Sequence, residues 1–267
     1  MSLSSVAGCV TATQREKAAQ FGRLHQPGSP LVLFNAWDAG SARVVAEAGA
    51  CAIATGSQAV AAAHGHGDGQ QLPLPLVMAN LQRILAAVSL PVTLDFEAGY
   101  ARDPHDVARN VREVIACGAV GINLEDVLIG EGRLFPVAAQ VARIAAARKL
   151  ADDANLAFFI NARTDLFQLA RRSEHDAALL EATLERAKAY RDAGARGLFV
   201  PGLVDEALLS ALCARAPLPV TVMILPGCPA LPRLRELGVA RVSFGGTPYR
   251  LAMDALQAGA EAAFNGL

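Results

Sequence analysis

Pro91-Val-Thr-Leu-Asp-Phe-Glu-Ala-Gly-Tyr100 and Ala119-Val-Gly-Ile-Asn-Leu-Glu-Asp126 decide how this chain is read. Each opens as a short β-rich apolar run and finishes in carboxylates, Asp95 and Glu97 in the first, Glu125 and Asp126 in the second. Apolar runs without polar alternation read as strands buried on both faces, which is the pattern of a parallel sheet. Buried carboxylates are costly unless something cationic meets them. Two such clusters on neighbouring strands make a hard divalent ion the simplest partner.

Similar runs recur along the chain. Leu31–Asn35, Cys51–Thr55, Val92–Asp95, Val120–Glu125, Leu156–Asn161, Gly197–Val200, Pro219–Ile224 and Arg241–Phe244 are strand candidates, and helical stretches fill the gaps. Val137, Val141 and Ile144 keep helical spacing, with Arg143 and Arg148 on other faces. Ser173 with Asp176 reads as a boxed start to the helix through Leu180 and Leu184. Gly118, Gly194 and Gly238 each follow a helical stretch, the preferred place for a left-handed cap. Eight strand–helix units in about 230 residues argue for a (β/α)8 TIM barrel, with an open doubly wound sheet as the alternative. An additional N-terminal helix near Thr13–Leu24, boxed by Thr13 and Glu16, precedes the first strand. No linker is visible, so residues 1–267 read as one barrel domain, with 1–11 as a flexible tail. Gly65–Gly69 is a loop in the second unit.

Composition narrows the function. The chain has 267 residues and a formal net charge of -1, so it carries no electrostatic footprint for nucleic acid or an anionic membrane. No apolar run approaches the roughly 18 residues of a membrane span. The first ten residues lack a basic segment followed by an apolar core, so no secretory signal is expected. Cys9, Cys51, Cys117, Cys213 and Cys228 are odd in number and scattered, without C-x-x-C spacing. Neither a disulfide framework nor a zinc site is suggested, and a reduced cytoplasmic setting is expected.

In such barrels the active site lies at the C-terminal ends of the strands. Side chains alternate along a strand, so Asn123 shares a face with Glu125, and Asn161 with Arg163. Asp95 and Glu97 share one only if their strand runs past Phe96. One mouth then collects Asp95, Glu97, Asn123, Glu125, Asn161 and Arg163, with Asp68 reaching in from the glycine-rich loop. By the same parity Asp126 points away and braces the barrel rim. Carboxylates without His or Cys favour Mg²⁺ or Mn²⁺ over Zn²⁺. An arginine beside them implies an anionic substrate bridging both, although a Glu125–Arg163 salt bridge that only stiffens the rim is the alternative.

Asn35-Ala-Trp-Asp-Ala-Gly-Ser-Ala-Arg43, Thr55-Gly-Ser57, Asp95-Phe-Glu-Ala-Gly-Tyr100, Asn123-Leu-Glu-Asp126 and Asn161-Ala-Arg-Thr-Asp165, in this order and spacing, resemble the isocitrate lyase/phosphoenolpyruvate mutase superfamily. The similarity runs from about residue 12 to the end, including Gly238-Val-Ala-Arg-Val-Ser243 and Tyr249-Arg250. The resemblance implies a barrel, a dimer or tetramer that exchanges the last barrel helix, Mg²⁺, and small 2-oxo or 2-hydroxy acids handled through an enolate. It implies that Asp95 is the direct metal ligand, that Glu97 (where the family usually has Asp), Glu125 and Asp68 act through water, and that Arg163 holds the substrate carboxylate with Thr55, Gly56 and Ser57. Asn123 and Asn161 are expected on the substrate side of the same mouth. The segment after Asp126, Val127-Leu-Ile-Gly-Glu-Gly-Arg-Leu-Phe-Pro136, is shorter than the lid of the lyases and lacks its catalytic cysteine.

The resulting expectation is an Mg²⁺-dependent carbon–carbon lyase resembling an oxaloacetate decarboxylase, with Asp95, Glu125 and Arg163 carrying catalysis. A phosphoenolpyruvate mutase or phosphonopyruvate-type enzyme and a non-catalytic 2-oxo acid binder are the alternatives. Ser243-Phe-Gly-Gly246 offers a phosphate cradle at a helix start. His64, His66 and Cys228 read as bystanders near the mouth, and Trp37 and Asp38 as packing and capping residues as readily as substrate contacts. The residue that protonates the enolate is unassigned; water and Tyr100 are the candidates.

Overall fold

The computed structural model describes residues 10–266. Most of the expected tail therefore lies outside the described residues. Its last two residues are built into the fold, Val10 being buried in the core and Thr11 capping the first helix.

All eight expected strands form, within a few residues of their expected ends. β1 (Leu31–Leu33), β2 (Ile53–Ala54), β3 (Val92–Asp95) and β4 (Gly121–Glu125) are followed by the short β5 (Val127–Leu128) and β6 (Arg133–Leu134), then by β7 (Phe159–Arg163), β8 (Gly197–Phe199), β9 (Val220–Met223) and β10 (Arg241–Ser243). The eight long-range strands run parallel in the order β1-β10-β9-β8-β7-β4-β3-β2. Beyond β1, the Ala36 N–H donates to Ala54 O at 2.8 Å and the Gly56 N–H to Ala36 O at 3.2 Å. These bonds join the first strand to the second and close the sheet, so the fold is a (β/α)8 barrel and the open-sheet alternative falls. β5 and β6 pair with each other as an antiparallel hairpin.

The helices α1 (Ala12–Arg23), α2 (Ala39–Glu47), α3 (Ser57–Ala63), α4 (Leu74–Ala87), α5 (Pro104–Cys117), α6 (Val137–Asp153), α7 (Leu166–Leu169), α8 (Ala177–Asp192), α9 (Glu206–Arg215), α10 (Leu231–Glu236) and α11 (Thr247–Asn265) complete the barrel. Gly118, Gly194 and Gly238 take left-handed φ values of 110°, 100° and 86°, as the caps require. Two expected N-caps are corrected. Thr11, not Thr13, accepts the Gln14 N–H at the start of α1, and Asp176 itself caps α8 by accepting from Leu179. In each case the capping side chain lies one position before the first helical residue, which composition does not locate.

α1 plugs the N-terminal end of the barrel. Gln14 Nε2 donates to the carbonyls of Ile115 and Ala119, at 2.9 and 3.0 Å. The His25 ring stacks on Phe159 at 3.9 Å between centroids, with Phe21 edge-on to both. α11 behaves differently. Pro248 is its only buried residue among those described, and Leu251, Leu256 and Phe264 are 56%, 65% and 74% exposed. Across the outer side of β1 runs an apolar groove of about 620 Å³, lined by Val32, Phe34, Val44, Val45 and Ala48 among others. No described helix is long and apolar enough to cross a membrane.

Candidate active site

Asp95 is the last residue of β3 and faces the barrel axis. Its Oδ2 accepts from the N–H and the hydroxyl of Ser57, at 3.2 and 3.0 Å, and its Oδ1 from Asn123 Nδ2 at 3.3 Å. Its own N–H donates to Thr55 Oγ1 at 2.9 Å. Gly56 precedes α3 without a capping side chain. Asp95 therefore does the capping from across the sheet, where a carboxylate is favoured by the unpaired N–H groups and the helix dipole. Thr55 and Ser57, expected at the substrate carboxylate, are bonded to Asp95 in this structure.

The strand stops at Asp95, so Glu97 reaches the mouth by another route. Gln70, Glu97 and Tyr100 all adopt left-handed φ angles of 60°, 47° and 55°. Such angles cost about 1 kcal/mol or more in non-glycine residues and persist where neighbours enforce them. Glu97 accepts the Gln70 N–H at 2.6 Å and the Tyr100 hydroxyl at 3.1 Å. Arg143, expected on a different face from Val137, Val141 and Ile144, is instead fully buried; it reaches from α6 to the carbonyls of Ala98 and Ala101 and props this loop from behind. The buried stripe of α6 runs through Gln140, Arg143, Ile144, Ala147 and Ala151, so Arg143 starts on the inner face, and Val137, on the expected apolar face, is exposed.

Burial and the nearby Asp95 and Asp68 charges push the Glu97 carboxyl up to about 7. Asp68 is exposed on its loop, and desolvation beside the mouth together with the Asp95 charge raises its carboxyl. Glu125, on the last residue of β4, is pushed up to about 8 by burial, against the pull of Arg163 and with Asp165, Asp95 and Glu97 adding to the rise. Carboxyl groups raised by burial, and further by one another, mark a place short of positive charge.

One cation is already there. Arg163 Nη1 meets Glu125 Oε2 at 3.0 Å, while Nε and Nη2 clasp Asp165 Oδ1 and Oδ2 at 2.6 and 2.8 Å. Burial alone lowers the guanidinium, but the Glu125 and Asp165 charges raise it well above its ordinary value. The salt bridge weighed as an alternative thus exists, and it extends to a second carboxylate. Asp126 faces away from the mouth and is fully buried, accepting from the Tyr190 hydroxyl at 2.6 Å, Arg186 Nη1 at 3.0 Å and the Asp165 N–H at 3.0 Å.

Asn123 and Asn161 form the floor of the mouth. Asn161 Nδ2 donates to Asn123 Oδ1 at 2.9 Å, and Thr221 Oγ1 to Asn161 Oδ1 at 3.3 Å. Gly197 makes room for this, since a Cβ there lies 2.6 Å from Asn161 Oδ1. From below, Arg241 Nη2 also donates to Asn123 Oδ1 at 3.2 Å. Its Nε and Nη1 have no protein partner, and burial lowers it to about 10. Arg241 and Asp165 are the residues that sequence reasoning missed. Both lay in quoted motifs, Asn161-Ala-Arg-Thr-Asp165 and Gly238-Val-Ala-Arg-Val-Ser243, but neither motif by itself says what the side chain meets.

The remaining candidates separate from the site. His64 Nδ1 lies 2.9 Å from Val60 O at the end of α3, and His66 is exposed. Asp38 caps α2 in a reciprocal box with Ser41, and Trp37 packs edge-on against Tyr249 at 5.2 Å. Cys228 is half-buried and its thiol is raised by burial. In the expected phosphate cradle the Phe244 N–H is taken by Asn35 Oδ1 at 2.9 Å and the Gly245 N–H by Ser243 Oγ at 3.3 Å. The β5–β6 hairpin stands where a longer lid was expected to be missing, and its Glu131 binds Arg102 and Arg133, each at 2.5 Å.

For a metal, the donors at the mouth are carboxylate, amide and hydroxyl oxygens. Among the described residues no three acidic, histidine or cysteine side chains converge on one point. That set fits a hard ion that keeps most of its water and takes few direct protein ligands, and it does not fit zinc.

Comparison with known proteins places this arrangement. Residues 21–264 match the family described as phosphoenolpyruvate phosphomutase. An uncharacterized protein of Mycobacterium tuberculosis is 36% identical over 92% of this chain and 89% of its own length. The 2-methylisocitrate lyase of Escherichia coli K12 is 30% identical over 71% of this chain and 63% of its own. A crystal structure of a candidate phosphonomutase from Burkholderia cenocepacia J2315 superposes with a TM-score of 0.92 at 53% identity, covering 94% of this chain and 99% of that one. A crystal structure of 2,3-dimethylmalate lyase gives a TM-score of 0.81 at 25% identity, covering 94% and 87%. With its closed barrel and the mouth built around Asp95 and Arg163, the chain belongs to the phosphoenolpyruvate phosphomutase family of the isocitrate lyase/phosphoenolpyruvate mutase superfamily.

Proposed function

We propose that this protein is a carbon–carbon lyase for a small 2-oxo or 2-hydroxy (di)carboxylic acid, resembling an oxaloacetate decarboxylase and passing through an enolate. The observation that carries the reading is a mouth lined by Asp95, Glu97 and Glu125, with Asp68 close enough to raise Glu97, and three of the four carboxyls raised, beside the guanidinium of Arg163. Such a mouth takes a divalent cation and an anion together.

Asp95 is the direct ligand in this reading, with Glu97, Glu125 and Asp68 acting through water on Mg²⁺ or Mn²⁺. The ion supplies a Lewis acid for the substrate's 2-oxygen. Arg163 has five N–H groups; two donate to Asp165, and Nη1 faces Glu125 Oε2 in an ion pair at 3.0 Å. One N–H on Nη1 and one on Nη2 remain, enough to receive both oxygens of a substrate carboxylate and the charge that grows as the bond breaks. Ser57 and Thr55 hold Asp95 in place, and Asn123 and Asn161 form the floor on which the acid rests. Loss of CO₂ requires no acid from the lid, which suits a hairpin without cysteine; water is the simplest final proton donor, because the Tyr100 hydroxyl already donates to Glu97. The relatives named oxaloacetate decarboxylase are similar over about half of this chain and of their own, 56% and 49% for that of Bradyrhizobium sp. BTAi1, which supports the class of chemistry rather than the bond.

The exposed apolar side of α11 and the apolar groove beside β1 support an assembly in which copies exchange this helix. A dimer is the smallest such assembly, and a tetramer pairs two of them.

A panel of 2-oxo acids and malate derivatives, with and without Mg²⁺, tests the proposal. Oxaloacetate turnover is expected to need the ion and to vanish in Asp95→Ala and Arg163→Ala; unchanged rates in both variants would remove the reading. The family match favours a second reading, in which a phosphonopyruvate is the substrate. Phosphorus NMR on that substrate, showing a new phosphorus environment with no loss of oxaloacetate in parallel, would select it.

A further inference from the structure

Arg163 does not stand free at the mouth. Its fork with Asp165 uses both carboxylate oxygens and fixes the plane of the guanidinium, since a bidentate pair tolerates little rotation. Asp165 is 4% exposed, yet it lies just past β7, where the chain has left the sheet ladder. Its position is set by its own N–H, which donates to Asp126 Oδ1 at 3.0 Å. Asp126 in turn receives the Tyr190 hydroxyl and Arg186 Nη1 on its other oxygen, and Arg186 Nη1 also lies 2.8 Å from the Tyr190 oxygen. Arg186 and Tyr190 are one turn apart on α8, outside the barrel wall.

We propose that Asp165, held by Asp126 and through it by Tyr190 and Arg186 of α8, is the positioning residue that aims Arg163 at the substrate carboxylate. This rests on the reading of Arg163 given above. The chain of contacts passes through the wall, from a helix that never touches the mouth to the guanidinium that faces it. It explains why Asp126 stays fully buried although it turns away from the metal side. It also explains why Arg163 keeps N–H groups on two different nitrogens for an incoming acid: Asp165 occupies the Nε side, and Glu125 meets Nη1 only as an ion pair. Without Asp165 the guanidinium has only Glu125 to hold it, and it can swing toward the surrounding carboxylates. A misplacement of about 1 Å at such a group costs up to about a hundredfold.

Charge and position predict opposite signs here, which makes the proposal testable. Asp165→Asn removes a negative charge next to an anion site, so electrostatics alone would tighten anion binding. An amide offers one acceptor where the fork needs two, so loss of aim would weaken it. Oxalate, a planar dianion shaped like the enolate of a 2-oxo acid, serves as probe, titrated by calorimetry in Mg²⁺ against the full-length protein. Mn²⁺ affinity is read separately by electron paramagnetic resonance.

Asp165→Asn is expected to weaken oxalate about ten- to a hundredfold with Mn²⁺ affinity changed less than about threefold. Tyr190→Phe, which alters no charge and keeps the ring, is expected to weaken oxalate in the same direction by a smaller factor. It also guards against a folding defect in the first variant. Oxalate bound as tightly as in the wild type, or more tightly, by Asp165→Asn while Arg163→Met loses it would overturn the positioning role and leave the functional reading standing. Undiminished oxalate binding in Arg163→Met would instead sink both.

Discussion

Acid should destabilise this barrel from its closed end, through one histidine. His25 is 4% exposed, stacked on Phe159, and its Nδ1–H donates to the Phe21 carbonyl at 2.8 Å. Burial and then the charge of Arg241 lower it from 6.5 to about 3, against the Phe21 hydrogen bond. A base whose folded value is lowered contributes stability above its unfolded value, about 6.5, and loses it as pH falls toward the folded one, because the unfolded chain takes up a proton that the folded chain refuses. The slope is about 1.36 kcal/mol per pH unit, so between pH 6.5 and 5 the loss is about 2 kcal/mol. Glu97 and Glu125 act in the opposite sense: their raised values favour the folded state as pH falls from about 8 through the unfolded value near 4.5. The wild-type curve alone is therefore a mixture. His25→Gln keeps a donor for Phe21 and cannot titrate, so the difference between the two proteins isolates the histidine. Urea unfolding at pH 7.5, 6.5, 5.5 and 5.0, buffer and ionic strength held constant, should show wild type losing about 2 kcal/mol relative to the variant across the lower part of this range. A difference that stays flat from pH 7.5 to 5.0 would refute the argument, and would mean that His25 reaches solvent or a hidden acceptor.

Two further outcomes follow from the packing. Leu251→Asp combined with Leu256→Asp, on the exposed side of α11, is expected to lower the mass found by multi-angle light scattering while the far-ultraviolet dichroism is retained; a wild type that is already monomeric at high concentration would defeat helix exchange. Arg241→Met is expected to unfold at the same urea concentration as wild type or at a higher one, since an unpaired buried charge gives way to an apolar side chain of similar length; a loss of more than about 1 kcal/mol would show that the orphaned guanidinium atoms have partners in solution.

The barrel was legible because its strands are short apolar runs separated by helices, and such runs have little choice of environment. Strand parity was equally reliable within a strand: Asn123 with Glu125, and Asn161 with Arg163, lie on shared faces although β7 starts and ends later than its apolar run suggests. Parity failed beyond a strand end. Glu97 reaches Gln70 and Tyr100 through a left-handed backbone that no local pattern announces, and Asp165 reaches Arg163 the same short distance past β7. Arg143 and Arg241 were invisible for a different reason. Their partners are carbonyl and amide oxygens far along the chain, so their burial depends on tertiary contacts that neither hydropathy nor spacing encodes.

The mouth is arranged so that binding is an exchange of partners. Asp95 caps α3, Glu97 accepts from Gln70 and Tyr100, and Glu125 shares Arg163 with Asp165. None of these carboxylates waits unpaired, which would cost several kcal/mol for each buried charge. A cation at Asp95 would draw oxygens that Ser57 now holds, and an acid would bind the free N–H groups of Arg163 beside Glu125. Glu125 drawn toward a cation would leave more of the Arg163 charge to an anion. Cation and acid should then bind more tightly together than apart, with Arg163 and Glu125 as the pair through which each senses the other.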